Sequence, residues 1–212
     1  MTRIDREAAP ATAIAALPSV VALLAGRRGL AAGLAVLPAA IAAFFRDPDR
    51  TPDHRPAPVD DVLSPADGKV MYVGPGQDLV APEGEWQQIS IFLSPMNVHV
   101  NRVPVSGRVT KVSYTPGKYL PAYAHDAATA NERSEIWIDH DGQPIVARQI
   151  VGMLARRVVC RLAAGASVKA GDRYGVMKFG SRMDVFLPMT AEITVQVGSV
   201  VRAAESVIAV LH

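Results

Sequence analysis

The chain has 212 residues, room for one or two domains, and half of them are apolar while a fifth are charged, a balance rich in apolar residues for a protein in water. The formal net charge of +2, with no basic stripe interleaved with aromatics and no recognition-helix pattern, argues against a nucleic-acid partner. A single cysteine, Cys160, excludes an internal disulfide and reads as a small core residue.

The apolar excess lies at the front. Between Ala11 and Phe45 the only charges are Arg27 and Arg28, which divide two apolar runs, 12–26 and 29–45. Neither reaches the roughly 20 residues that comfortably span a bilayer. Two short spans, a re-entrant hairpin and an interfacial pair all fit, with Pro18 and Pro38 bending or interrupting the helices. A secretory leader is the competing reading, since Arg3 and Arg6 precede an apolar stretch. Against it, the second run follows at once and no clear small-x-small site leads into a polar start. Arg3, Arg6, Arg46 and Arg50 place both ends on the cytoplasmic face, and mild basicity suits an anionic membrane surface. Residues 46–60 are proline-rich and polar and read as a linker. Residues 1–60 are thus expected to be an apolar, helical, membrane-associating region with its linker.

Residues 61–212 carry short Val/Ile-rich runs punctuated by Gly, Pro, Asp and Ser, which predicts a mainly β domain with one core. Two internal echoes sharpen this. Pro65-Ala66-Asp67-Gly68-Lys69-Val70 with Val73 recurs as Pro104-Val105-Ser106-Gly107-Arg108-Val109 with Val112. Gly165, Val168, Lys169, Ala170 and Gly171 are answered by Gly198, Val201, Arg202, Ala203 and Ala204. Each echo reads as a turn leading into a strand, and together they predict duplicated β units.

Several residues are candidates for chemistry. Ser181 follows Gly180 in Lys178-Phe179-Gly180-Ser181-Arg182; a glycine removes the Cβ that would hinder attack on its own carbonyl, so Ser181 has a target if it is activated. A Gly-Ser pair is also an ordinary turn. His99 lies where an apolar strand runs into a Pro-interrupted polar segment, and its pKa near 6.5 suits a base that later acts as an acid; a satisfied structural histidine is the plainer alternative. Asp67 before Gly68 is a turn residue or the carboxylate orienting an imidazole. Phe179 stands where a nucleophile elbow needs glycine. No metal-ligand spacing, Walker loop or dinucleotide fingerprint occurs, so no metal is expected.

The Val168-Lys169-Ala170-Gly171-Asp172 pattern is similar to the hammerhead of biotinyl and lipoyl carrier domains, which would make Lys178 in Met177-Lys178 a modified lysine. The interval from Val168 to Lys178 is shorter than in that family, and the acidic residue before the Met-Lys pair is missing. As a set, another group of motifs resembles the short-form, pyruvoyl-dependent phosphatidylserine decarboxylases: Phe44-Phe45-Arg46-Asp47-Pro48, Ser64-Pro65-Ala66-Asp67-Gly68, Ser94-Pro95-Met96-Asn97-Val98-His99-Val100-Asn101-Arg102, Asn131-Glu132-Arg133 and Phe179-Gly180-Ser181-Arg182. That resemblance implies hammerhead, barrel-sandwich-like β units and a proenzyme that cuts itself between Gly180 and Ser181. A large chain (1–180) and a small chain (181–212) would stay together. Ser181 would become a covalent pyruvoyl cofactor, which forms a Schiff base with the substrate amine and accepts the electrons left by carbon dioxide.

The resemblance further implies His99 as proton acceptor, with Asp67 orienting it. Arg102 stands near where long-form members carry a second histidine. Arg102, Arg133 and Arg182 are the candidates for holding the phosphate or carboxylate of phosphatidylserine. It places the enzyme on the cytoplasmic membrane with its catalytic domain inside the cell, and leaves homo-oligomerisation open. A membrane-tethered β scaffold without catalysis is the remaining alternative.

Overall fold

The computed structural model describes residues 2–51, 59–124, 126–153, 157–178 and 181–212. It divides into two compact units, Met1–Asp49 and Arg50–His212.

The first unit opens with β1 (Thr2–Ile4), continues through α1 (Ala8–Leu24), α2 (Arg28–Leu34) and α3 (Val36–Phe44), and closes with β2 (Arg46–Pro48). β2 pairs antiparallel with β1, so the stretch read as linker begins as a strand. Alanine and leucine dominate the helices and favour them intrinsically. α1 ends where Gly26 takes φ +74°: its N–H donates to Leu23 O and that of Arg27 to Ala22 O, the paired bonds of a Schellman cap that a residue with a Cβ adopts at a cost. Pro18 lies inside α1 and Pro38 falls in the first turn of α3, where its missing N–H is not needed. Ile14, Leu17, Val21, Leu24, Val36 and Leu37 all stand exposed. No described helix is long and apolar enough to cross a membrane.

The second unit is built of strands, as expected. In chain order they are β3 (Asp61–Leu63), β4 (Gly68–Pro75), β5 (Gln87–Leu93), β6 (Val100–Arg102) and β7 (Gly107–Thr115). After the short α4 (Ala127–Ala130) come β8 (Arg133–His140), β9 (Gln143–Ile150), β10 (Val158–Cys160), β11 (Ser167–Val168) and β12 (Arg173–Met177). The chain finishes with β13 (Ser181–Leu187), β14 (Glu192–Ile193), β15 (Val200–Val201) and β16 (Val207–Val210). Eight of these form one antiparallel sheet, curled into a half barrel, in the order β11-β7-β8-β9-β13-β5-β4-β15. Two three-stranded sheets, β10-β12-β6 and β14-β16-β3, complete the unit.

The two echoes of the sequence meet in space. Val168 pairs with Gly107 and Val201 with Gly68, so each late echo seals the edge of the strand that begins with an early one. β4 against β5 breaks register between Val70 and Tyr72, and β7 against β8 breaks it between Val109 and Lys111, at matching positions of the two repeats. The halves lock reciprocally, Leu63 N–H donating to Pro104 O and Arg102 N–H to Pro65 O. Alternation along the strands sends Ile89, Ile91, Leu93, Met183, Val185 and Leu187 into the main core, while the residues between them face the other side of the sheet. That side is also covered, by Val80, Trp86 and Ala128 packing on Val146, Ile150 and Phe186. β13 is therefore buried along its whole length.

Candidate active site

Ser181 is the first residue of β13, in the middle of the large sheet, and its strand pairs with both β5 and β9. It is fully buried, and its hydroxyl makes no hydrogen bond among the described residues. A buried hydroxyl without a bond is costly and rare in a settled fold, and marks a position held for something other than stability. Phe179 and Gly180, the other half of the expected cleavage site, lie outside the described residues.

His99 is brought to the same neighbourhood by two clamps. Leu93, at the end of β5, pairs with Ser181; beyond it Ser94 closes a turn in which its N–H and hydroxyl both donate to Asn97 Oδ1. The chain then reaches His99, whose carbonyl accepts the Met177 N–H. The Leu93–Ser181 pair and the His99–Met177 bond thus hold both ends of segment 94–98. The imidazole is buried, with Nδ1 2.9 Å from the Asn97 carbonyl oxygen, which favours the tautomer carrying its proton on Nδ1.

Asp67 sits elsewhere than a direct relay would need. Oδ1 accepts the Ala203 N–H at 2.9 Å and Oδ2 pairs with Arg50 at 2.9 Å, while Arg50 also pairs with Glu205. Neither oxygen is bonded to His99. The equivalent residue of the other repeat, Ser106, accepts the Ala170 N–H in the same way, so the position serves the turn in both halves. The Asp67 turn is tied to the segment after His99 through the backbone, where Pro65 O accepts the Arg102 N–H.

The three candidate arginines separate. Arg102 is buried, with Nη1 donating to Gly171 O. Arg133 donates to Thr129 O and Asn131 O beside α4, and burial, then the nearby Arg148, pull its pKa below the ordinary value, with Glu135 partly opposing. Arg182 lies beside Ser181 but on the opposite face of the sheet. Its Nε pairs with Asp184 at 2.7 Å and Nη2 donates to Ser90. Arg133 and Arg182 both sit opposite Ile150, in one row across the sheet.

Arg182 also lines a cavity of about 670 Å³ with Tyr72, Gln77, Asp78, Leu79 and Tyr123. A guanidinium and a carboxylate at one cavity suit a zwitterionic or phosphate-bearing head group. Leu79 and Tyr123 are both strongly exposed there. Asp184 was within reach of sequence reasoning, since two residues after Arg182 on a strand is the same face. Gln77 and Asp78 come from a loop whose approach no local pattern announces. No His, Cys, Asp and Glu cluster among the described residues could hold a metal.

The fold and site define a mainly β protein whose buried serine heads a central strand, next to a clamped histidine segment. The family profile described as phosphatidylserine decarboxylase matches residues 37–209. The chain belongs to the phosphatidylserine decarboxylase family. Relatives named phosphatidylserine decarboxylase proenzyme include that of Geotalea uraniireducens, 41% identical over 212 residues and covering 99% of this chain and 97% of the relative. That of Prosthecochloris aestuarii is 44% identical over 166 residues, covering 78% and 75%. The Chlorobium chlorochromatii protein is 46% identical over 167 residues, covering 78% and 76%. Family membership decides against the carrier reading of Lys178 and against a scaffold without catalysis.

Proposed function

We propose that this chain is a proenzyme that converts Ser181 into a pyruvoyl group and then decarboxylates phosphatidylserine to phosphatidylethanolamine and carbon dioxide. The observation that carries the reading is the fully buried Ser181 hydroxyl, without a hydrogen bond among the described residues, at the head of a strand locked between two neighbours. Ser181 Oγ attacks the Gly180 carbonyl, His99 takes the hydroxyl proton, and Asp67 keeps the turn that supports the His99 strand. After cleavage the small chain stays bound, because β13, β15 and β16 are hydrogen-bonded into strands of the large chain. The pyruvoyl ketone supplies the electron sink that a decarboxylation requires. His99 is the acid that returns a proton to the substrate carbon.

Arg182 and Asp78 receive the polar head at the cavity, and Arg102 and Arg133, away from that lining, are further cationic contacts for its phosphate or carboxylate. The matching registers and bulges of the two halves support a duplicated hammerhead, barrel-sandwich-like unit. The exposed apolar side chains of α1 and α3 support association with an anionic cytoplasmic membrane surface. Carbon dioxide release from phosphatidylserine vesicles, compared with free serine, tests the reading. Release from vesicles that disappears in Ser181→Ala is expected; equal release in that variant contradicts it.

A further inference from the structure

Ser181 Oγ and Gln149 Oε1, on one face of the large sheet, and Asn101 Nδ2, on β6 of the neighbouring three-stranded sheet, are buried polar atoms that make no hydrogen bond among the described residues. The Gln149 amide is held from several sides. Its Nε2 donates to Asn101 Oδ1 at 2.8 Å and to Val159 O at 3.3 Å. Both amide protons are thereby committed to oxygens, which fixes which end of the group is the acceptor. Gly175 makes the space: a Cβ there would meet Gln149 Nε2 at 2.6 Å and Val159 O at 2.4 Å. Its φ lies outside the left-handed region, so this strand glycine is required by the close approach of the amide.

The register places the fixed acceptor beside the serine. Gln149 lies opposite Met183, and Ser181 is two residues along the same strand and on the same face. Such diagonal neighbours have Cβ atoms about 7 Å apart, within reach of a long side chain. We propose that Gln149, oriented by Asn101 and seated over Gly175, is a positioning residue for self-cleavage. Its Oε1, unbonded among the described residues, is the acceptor to which the Ser181 O–H turns as cleavage begins, which points an oxygen lone pair toward the Gly180 carbonyl.

In the step it serves, the Ser181 Oγ–Gly180 C bond forms, the Gly180 C–Ser181 N bond breaks, and the hydroxyl proton ends on the Ser181 nitrogen, leaving an ester and a free amine. The inference rests on the proposed self-cleavage and deepens it. An amide oxygen is too weak a base to keep the proton, so Gln149 orients the hydroxyl before attack and the proton passes to His99 as the Oγ–C bond forms.

The test follows conversion of freshly synthesised full-length chain to two chains by denaturing gel and intact mass, alongside thermal melting. Gln149→Met keeps length and removes the acceptor; Gln149→Glu keeps an acceptor oxygen; Asn101→Leu frees the amide to turn. Gln149→Met and Asn101→Leu are expected to slow cleavage at least tenfold with melting close to the parent. Gln149→Glu should recover part of the rate. Hydroxylamine, which cuts esters, should release no fragment from stalled Gln149→Met, because the block falls before the acyl shift. Cleavage of Gln149→Met at the parental rate, or loss only in step with the folded fraction, overturns the inference. If the parent chain itself never splits at 180/181, the proposed function fails first, which keeps the two failures apart.

Discussion

Removing the Asp67 carboxylate tests whether this residue works by holding its turn. Ser181→Ala is the right background, because the chain then stays whole and melts as one species. Asp67 and Arg50 are 11% and 9% exposed in their side chains, so the pair is largely out of water. Asp67→Ala leaves Arg50 with Glu205 alone and the Ala203 N–H without its acceptor. Removing one partner of a buried ion pair costs about 3–5 kcal/mol, and because Arg50 keeps Glu205 the pair term falls at or below the low end of that range. The orphaned N–H adds about 1–3 kcal/mol, so a total of about 3–5 kcal/mol is expected. For a unit of this size that lowers Tm by roughly 6–20 °C, at about 2–4 °C per kcal/mol.

Asp67→Asn keeps an acceptor for Ala203 and loses only the charge, for about 1–3 kcal/mol. Ser106→Ala, at the equivalent turn, removes one neutral bond and should cost about 1 kcal/mol. Thermal melts followed by circular dichroism order the three variants. Asp67→Ala melting within about 2 °C of its parent, or Asp67→Asn as damaging as Asp67→Ala, would refute the reasoning.

Arg182→Met leaves Asp184, which is fully buried, without its cation, and a loss of about 3–5 kcal/mol is expected in urea denaturation; an unchanged midpoint would mean the pair contributes nothing. Tyr174 is fully buried and its phenol pKa is raised well above 10, first by burial and then by Cys160. Because the folded value is the higher one, its contribution to stability is complete below the unfolded pKa near 10 and is lost as pH rises from there toward the folded value. Tyr174→Phe should flatten that alkaline decline, read from melts between pH 8 and 11. Leu17→Glu with Leu24→Glu, both in exposed positions of α1, should weaken sedimentation with anionic vesicles severalfold; undiminished sedimentation would assign membrane association to another part of the chain.

Much of the architecture was legible in the sequence. The echoes around Gly68 and Gly107, and around Val168 and Val201, are the positions where β15 and β11 seal β4 and β7, because turn chemistry and apolar alternation repeat wherever the same local unit is built. Ser181 and His99 stood out through the set of motifs that resembles the family; alone, a Gly-Ser step and an imidazole near a strand end are ordinary. The Arg50–Asp67 pair was hidden, since it joins a stretch read as linker to a turn and has no periodic signature. Gln149 was hidden for a related reason. In Val146-Ala147-Arg148-Gln149-Ile150 it reads as one of two adjacent polar residues in an otherwise apolar strand, and only the close approach of β10 and β12 shows why a glycine faces it. Long-range contacts of this kind depend on how sheets stack, which no local pattern records.

Intact mass of the purified full-length protein under denaturing conditions tests the central claim most directly. The account predicts two chains split between residues 180 and 181, with the smaller one beginning in a ketone in place of a free amine. A single unsplit chain in a preparation that decarboxylates phosphatidylserine would contradict it.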